Sequence, residues 1–567
     1  MEESLLSRLG LLASRGIGFV RSAVSSVLLA ALLLIATPVA ADNFAIEVGT
    51  FKPRSAQNLT NFLNESGLPV ILDSVITLSG EKMKRVYVGP YQRRRDAVKA
   101  QSRLEGMGLG GYLSRYTPEP GLMPRTAARP DAQDIIAPEG GEAAGEPLSM
   151  DALFGLTKPE SDQTVLFTGF FQSELAYTTP EPEHYSKFRN ILELGLRGGL
   201  GRNMKWTINA RAVYDAVFDI EEDFYPANVE EDQRTEYEFR ETYLDLSQGN
   251  WDFRIGRQHI IWGEMVGLFI ADVVSARDLR EPTRSDLDMV RIPQWATRVE
   301  YFGDDMHLDA IWIPYMTYDK LGEPGGEFFP EFTPPPGFDV VVEDEDRPED
   351  SLSNSAYGLR LAYAGGGWDT SLFYYSSMDV SQTFARRISL SPSPVITFSP
   401  IHERIDQLGV TYTKDFRLAI LKAEAVYTLD KLFNVNDTDD VDGLAPADVL
   451  DYAVSIEFSF PRETRLNLQY FEKRVADDIP ELVVDEVQSG ASLYITSQFI
   501  DQDIETQLLY LYQFEQGDWL IEPKVIWRFQ PDWQFAAGLN KFEGPPSSQF
   551  GMFDQKDRVF LELRYSF

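Results

Sequence analysis

From Val165 to the C-terminus the chain is written in segments of about ten to fourteen residues in which apolar and polar side chains alternate. Trp206, Ile208, Ala210, Ala212 and Tyr214 alternate with Thr207, Asn209, Arg211 and Asp215. The same pattern runs through Leu421–Leu429, where Lys422, Glu424 and Thr428 are the polar partners, and through Tyr452–Phe460. A period of two places one apolar and one polar face on a strand, so this part of the chain is read as sheet. A soluble sandwich would turn the polar face outward. A transmembrane barrel would turn the apolar face to lipid and the polar face to a lumen. Other architectures are excluded by composition. With no cysteine there is no disulfide scaffold, thiol enzyme, Cys-ligated metal site or lipid-bearing Cys. The mean hydropathy is −0.24, and no stretch approaches 18 consecutive apolar residues, which argues against a helical membrane bundle.

Turn spacing favours the barrel. Short turns fall at Gly201-Arg202-Asn203, Gly249-Asn250, Gly303-Asp304-Asp305, Gly365-Gly366-Gly367, Asp415-Phe416, Pro461-Arg462 and Pro531-Asp532. Between them lie long connections at Asp219–Gln233, Gly263–Pro293, Thr317–Ser353, Ser381–His402, Phe433–Asp448 and Ala476–Gln488. Outer-membrane barrels have short periplasmic turns and long outer loops. Aromatic residues gather at strand ends, as an interfacial girdle requires. The expected fold is mainly β: a transmembrane antiparallel barrel of about 18 strands, with 16 as the other even count, behind a small N-terminal α+β domain. The last strand, Val559–Phe567, alternates and ends in Tyr565-Ser566-Phe567. It resembles the assembly signal of bacterial outer-membrane barrels, which implies the barrel-assembly machinery as a partner. The N-terminus agrees. Arg8, Arg15 and Arg21 precede the apolar run Val24–Ile35, and Val39-Ala40-Ala41 supplies small residues for cleavage, so 1–41 is read as a signal peptide.

Charge divides the remainder. Residues 42–116 are net +4, residues 117–160 net −5, and 161–567 carry a charge equal to the chain's whole −36. Such acidity argues against a nucleic-acid partner. Seven prolines between Pro118 and Pro159, with Gly140-Gly141, mark 117–160 as a linker. Within 42–116 the order is strand, helix, strand, strand, helix, strand, a ferredoxin-like split unit. Its first strand ends in Val48-Gly49-Thr50-Phe51 and its third in Arg85-Val86-Tyr87-Val88-Gly89-Pro90-Tyr91. Both resemble the signatures of the SPOR (sporulation-related repeat) domain. The resemblance implies binding of peptidoglycan glycan strands on the sheet face through Glu47, Gly49, Thr50, Phe51, Arg85, Tyr87, Gly89 and Tyr91. Family members usually carry Gln where this chain has Glu47, and Ser where it has Thr50.

In the barrel, the stretches Gly256–Glu264, Asp272–Glu281, Arg291–Trp295 and Trp312-Ile313-Pro314 resemble a widespread family of large proteobacterial outer-membrane barrels defined as a domain of unknown function. The resemblance implies a porin-like barrel passing small solutes or hydrophobic compounds, and leaves the solute open. Lumen-facing positions carry both signs of charge, among them Arg211, Arg298, Glu300, Lys422, Glu424, Lys524 and Arg528. The connection Gly263–Pro293 is too long for a simple loop and too charged for lipid. It is expected to fold into the lumen as a constriction lined by Glu264, Asp272, Arg277, Asp278, Arg280 and Arg284, or to use those charges to tie itself to the wall. The outer loops are acidic, as at Glu343-Asp344-Glu345-Asp346, and could draw Ca²⁺ or Mg²⁺ and so lipopolysaccharide; no resident cofactor is expected. The four histidines, His184, His259, His307 and His402, stand in no nucleophile-elbow, zincin or phosphate-loop pattern, which points away from catalysis. The alternatives to a channel are a tether between outer membrane and cell wall, and a gated lipid-export conduit.

Overall fold

In the computed structural model the described residues are 43–51, 56, 59–60, 63–64, 68–76, 82–91, 97, 100, 104, 112–116 and 165–567, apart from 202, 282, 284–286, 331–335, 366, 392, 417–418, 438–439, 461–462 and 500–502. The expected signal peptide and linker lie outside them. The chain divides into two compact units at Thr126/Ala127.

The small unit is a four-stranded sheet of β1 (Asn43–Phe51), β2 (Val70–Ile76), β3 (Lys82–Tyr91) and β4 (Tyr112–Tyr116), in the order β2-β3-β1-β4 with every pair antiparallel. One face buries Ile46, Val86 and Val88 against the helical residues Ala56, Leu63, Ala97, Ala100 and Leu104.

The large unit is a closed barrel of eighteen strands. They are β5 (Leu166–Thr178), β6 (His184–Gly199), β7 (Met204–Asp215), β8 (Thr235–Gln248) and β9 (Trp251–Gln258). After a long connection containing the two-residue strands β10 (Ala276–Arg277) and β11 (Arg291–Ile292) come β12 (Gln294–Phe302) and β13 (Met306–Tyr315). Outside the barrel, β14 (Asp339–Val342) precedes β15 (Ala356–Gly365) and β16 (Trp368–Met378). Then β17 (Thr383–Ser389) and β18 (Val395–Ile401) form with β14 a small sheet beyond the barrel wall. The barrel resumes with β19 (Arg404–Asp415), β20 (Ala419–Asn434), β21 (Leu444–Phe460), β22 (Thr464–Val475) and β23 (Val487–Phe499). It ends with β24 (Ile504–Gln513), β25 (Trp519–Gln530), β26 (Trp533–Glu543) and β27 (Arg558–Ser566). Pairing of β27 with β5 closes the cylinder and leaves no unpaired edge, the condition for a sheet in hydrocarbon.

Alternation decides the faces. Leu192, Leu194 and Leu196 on β6, Leu359 and Leu361 on β15, and Val559, Leu561 and Leu563 on β27 all stand exposed on the outside. Aromatic pairs ring both ends: Trp251 with Tyr301 and Trp533 with Tyr565 at the end bearing the barrel's termini, Tyr177 with Tyr185 and Tyr510 with Trp519 at the other. Phe567 stacks on Phe167 at 5.5 Å, and its backbone exchanges two 2.9 Å hydrogen bonds with Gly169. One connection differs from expectation. Phe433–Asp448 is strand at both ends, since β20 runs to Asn434 and β21 begins at Leu444. The pair continues past a register shift between Thr428 and Lys431, where Asp430 takes φ +55°, and so projects above the wall as a hairpin.

Candidate lumen site and its constriction

The connection between β9 and β12 turns inward and crosses the lumen. Its first half packs on the wall: Ile260, Trp262, Ala271 and Val274 share a core with Ala296, Ile311, Ile313, Ala356, Phe373, Tyr375 and Val426. Room for that core is made at Gly409, opposite Phe373, where a Cβ would lie 2.1 Å from the ring. The backbone of the segment is then held by side chains of distant strands. The Glu424 carboxylate on β20 accepts hydrogen bonds from the backbone N–H groups of Glu264, Met265 (3.1 Å) and Ala271 (2.9 Å). Lys422 donates to the Glu264 carbonyl at 3.1 Å, Thr413 to the Glu264 carboxylate, and Gln469 on β22 to the Val266 carbonyl at 2.6 Å.

The second half reaches the opposite wall. Glu281, 5% exposed, binds Lys187 at 2.7 Å, Arg189 at 2.9 Å and Arg558 on β27. Arg558 also donates to the Thr283 hydroxyl at 2.9 Å and to the Asn540 oxygen at 2.8 Å. Between these anchors the segment is stitched to the long outer connection after β13. Lys320 N–H bonds the Arg277 carbonyl and Leu279 N–H the Lys320 carbonyl, each at 2.8 Å.

The expected constriction charges are therefore distributed as follows. Asp272 accepts from Arg291 at 2.7 Å, and Arg277 binds Asp319 at 3.0 Å. Arg280 bridges Asp278 and Glu236, each at 2.8 Å. Glu264 is turned to the wall, and Arg284 lies outside the described residues. Of the lumen residues, Arg211 holds Glu193 at 2.7 Å, Arg298 holds Asp309 at 2.8 Å and Glu300 at 3.0 Å, Lys524 holds Glu562 at 2.8 Å, and Arg528 holds Glu505 at 2.8 Å.

Among the described residues, two large cavities lie beside the segment. One, about 520 Å³, lies toward the end remote from the termini and is bounded by Phe269, Leu279, Leu509, Leu511, Gln513 and Phe550, among others. The second, about 450 Å³, lies toward the termini among Gln172, Lys187, Lys524, Gln534, Glu562 and Arg564. Glu281 and Thr283 on the segment, and Gln507 and Glu522 on the wall, line both. These four stand at the boundary between the two spaces. Sequence reading did not single out Glu281, Thr283 or Gln507. The available signal was the run Leu508–Tyr512 in β24, where alternation fails and leucines must face the lumen.

At the mouth, the tip of the outer connection is latched to the far rim. Glu327 accepts from His184 and Thr178, each at 2.9 Å, and from Tyr225 at 3.1 Å. Phe328 packs with Leu520, Phe542 and Phe550, and Arg558 lies 4.8 Å over its ring. Burial would raise the Glu327 carboxyl, but the His184 hydrogen bond and the Lys556 charge outweigh it and hold it below the usual range. At Asp232 burial wins over Arg280 and the carboxyl is raised. Among the described residues no three His, Asp or Glu side chains converge as metal ligands.

In the small unit, Glu47, Gly49, Thr50 and Phe51 lie on β1, opposite Tyr87, Val86, Arg85 and Lys84 of β3. Tyr87 is nearly buried, Gly89 takes φ +146°, and Tyr91 packs against the core. The side chains of Glu47, Thr50, Phe51 and Arg85 lie outside the described residues.

A closed barrel, apolar outside and charged within, defines an outer-membrane β-barrel; its companion unit matches the SPOR domain over residues 40–115. The barrel lies in the outer membrane and the SPOR domain in the periplasm. Residues 185–503, more than half the chain, match the family described as "Protein of unknown function (DUF1302)", and the chain belongs to that family. No curated protein matches it significantly. Among solved structures it is similar to Salmonella typhi OmpF in complex with daunomycin (10% identity, 72% of this chain and 98% of that one, TM-score 0.39). It is also similar to Acinetobacter baumannii OccAB1 (9% identity, 71% and 96%, TM-score 0.45). A third is Pseudomonas aeruginosa OpdK with vanillate (8% identity, 71% and 98%, TM-score 0.41).

Proposed function

We propose that this protein is a non-enzymatic, porin-like outer-membrane channel held at the cell wall by its N-terminal domain. The observation that carries the reading is the pair of lumen cavities that adjoin at Glu281, Thr283, Gln507 and Glu522, which we read as a neck on the solute route. In this reading the inward segment narrows the lumen, and the charges on its first half serve to fasten it. Fixed polar groups at such a neck set what passes. Three of the four histidines support a structural rather than catalytic use: His184 bonds Glu327, His402 bonds Glu345 at 2.8 Å, and His307 bonds Glu300 at 3.0 Å.

The match to the SPOR domain supports glycan binding by a ferredoxin-like unit, with β1 and β3 at the centre of its sheet. Two measurements on the full chain test the reading. In planar bilayers it gives stable openings, and deletion of Val266–Arg284 raises their conductance. With isolated peptidoglycan it sediments, and glycan strands stripped of peptides compete. A folded barrel that stays silent but sediments would overturn the open channel and favour the tether or the gated lipid conduit.

A further inference from the structure

The outer cavity departs from the polar lining that alternation imposes elsewhere in the lumen. In β24 the residues Leu508-Leu509-Tyr510-Leu511-Tyr512 are all apolar, so both faces of the strand are apolar there. Register pairs Leu508 and Tyr510 with Pro523 and Ile521, while Leu509 and Leu511 turn to the cavity. Across the space, the lumen segment presents Leu268 and Phe269, half-buried. Leu511 also packs on the Phe328, Leu520, Phe542 and Phe550 cluster, and Arg277 and Arg291 lie 5.5 and 5.3 Å over the Phe269 ring; covering the apolar surface that the four still show to the cavity gains about 25 cal/mol per Å².

We propose that this chamber is a binding site for a neutral amphipathic ring compound, with the ring between Leu509/Leu511 and Leu268/Phe269 and its hydroxyl or amide groups on the glutamines. Three observations select that class. Most of the charges around the chamber are matched within the protein: Lys431 with Asp379, Lys473 with Asp451 at 3.7 Å, and Arg277 with Asp319 at 3.0 Å, while Glu522 at its inner end accepts from Asn540 at 2.8 Å. They therefore offer little to a single-signed ligand. The neutral polar groups are hydroxyls and amides; among the amides Gln407 donates to Thr428 at 3.1 Å and Gln513 to Gln549 at 2.9 Å, and each retains further donor and acceptor capacity. Finally, the cavity is compact, about 520 Å³, within the range of small-molecule pockets, and it ends at a polar neck. An extended acyl chain would have to pass Glu281, Gln507 and Glu522.

The inference rests on the lumen being the solute route, and the two are tested separately. Binding is measured by calorimetry on the full chain in lipid nanodiscs, using phenyl β-glucoside, glucose and decanoate as probes. Phenyl glucoside binds, and glucose and decanoate bind at least about tenfold more weakly. The Leu509→Asn/Leu511→Asn variant and, from the other wall, Phe269→Ala each weaken phenyl glucoside by about tenfold. Equal binding of glucose, or better binding of decanoate, overturns the proposal, as do folded variants with unchanged affinity. Ring binding by a chain that conducts nothing would sink the channel and leave the site standing. A conducting chain without ring binding would do the reverse.

Discussion

Glu424 is the clearest place to break the lumen segment away from its wall. The side chain is 3% exposed and accepts from three backbone N–H groups, those of Glu264, Met265 and Ala271. Hydrogen bonds to a charged acceptor contribute about 1.5–3 kcal/mol each, and a buried donor left without a partner costs about 1–3 kcal/mol. Glu424→Ala opens space in which water can take up part of that loss, so a net of about 1 kcal/mol per bond is the conservative figure. Three bonds then give about 3 kcal/mol, or roughly a hundredfold larger population of the detached segment. The barrel's own ladders are untouched, so the loss is local. Hydrogen exchange read by mass spectrometry is the assay. Residues 264–271 exchange about a hundredfold faster in Glu424→Ala and about tenfold faster in Glu424→Gln, which keeps one acceptor oxygen, while β20 to β23 are unchanged. Unchanged exchange at 264–271, or loosening spread evenly over the barrel, would refute the anchoring argument.

Three further perturbations have defined outcomes. Glu327 is depressed in the fold, so its latch stabilises the lid above the ordinary carboxylate pKa of about 4.3 and is lost as pH falls through the lower folded value. Spin labels at Glu323→Cys and Gln549→Cys keep one distance at neutral pH and a broader distribution in acid below about pH 4. Gly409→Val drives a side chain into the Phe373 ring and destabilises the barrel by about 1–3 kcal/mol, read as a lower temperature for loss of the fast-migrating folded band on gels. Removal of Phe567 deletes the stack on Phe167 and the backbone pair with Gly169, and lowers the yield of assembled barrel in the outer membrane.

Much of this architecture was legible in one dimension because a barrel strand repeats its environment every second residue. Turn residues such as Gly249-Asn250 and Pro531-Asp532 bound strands where they were expected, and the strand number follows from them. The length and charge of Gly263–Pro293 likewise set that segment apart. Pairing was not legible. Glu281 meets Lys187 and Arg558, which lie far from it in sequence on strands brought together only by closure. The neck combines such a residue with Gln507, marked only by the neighbouring run Leu508–Tyr512, and with Glu522, one of many charged residues on lumen-facing positions. The outer sheet of β14, β17 and β18 was hidden for a related reason: β14 and β18 pair in parallel across about fifty residues, with no hairpin turn to announce them. Phe433–Asp448 looked like a loop because Asn434–Asp442 is polar. Strands that leave the membrane no longer need an apolar face.

The central claim is that solute and ions pass the neck beside Gln507. Because the chain has no cysteine, Gln507→Cys is a unique label site. Full-length Gln507→Cys is recorded in a planar bilayer before and after a bulky methanethiosulfonate reagent. Asp478→Cys, exposed in the connection after β22 and outside both cavities, is the control. The account predicts that modification at 507 cuts the conductance and that the control keeps its own. Conductance unchanged by verified labelling at 507 would contradict it.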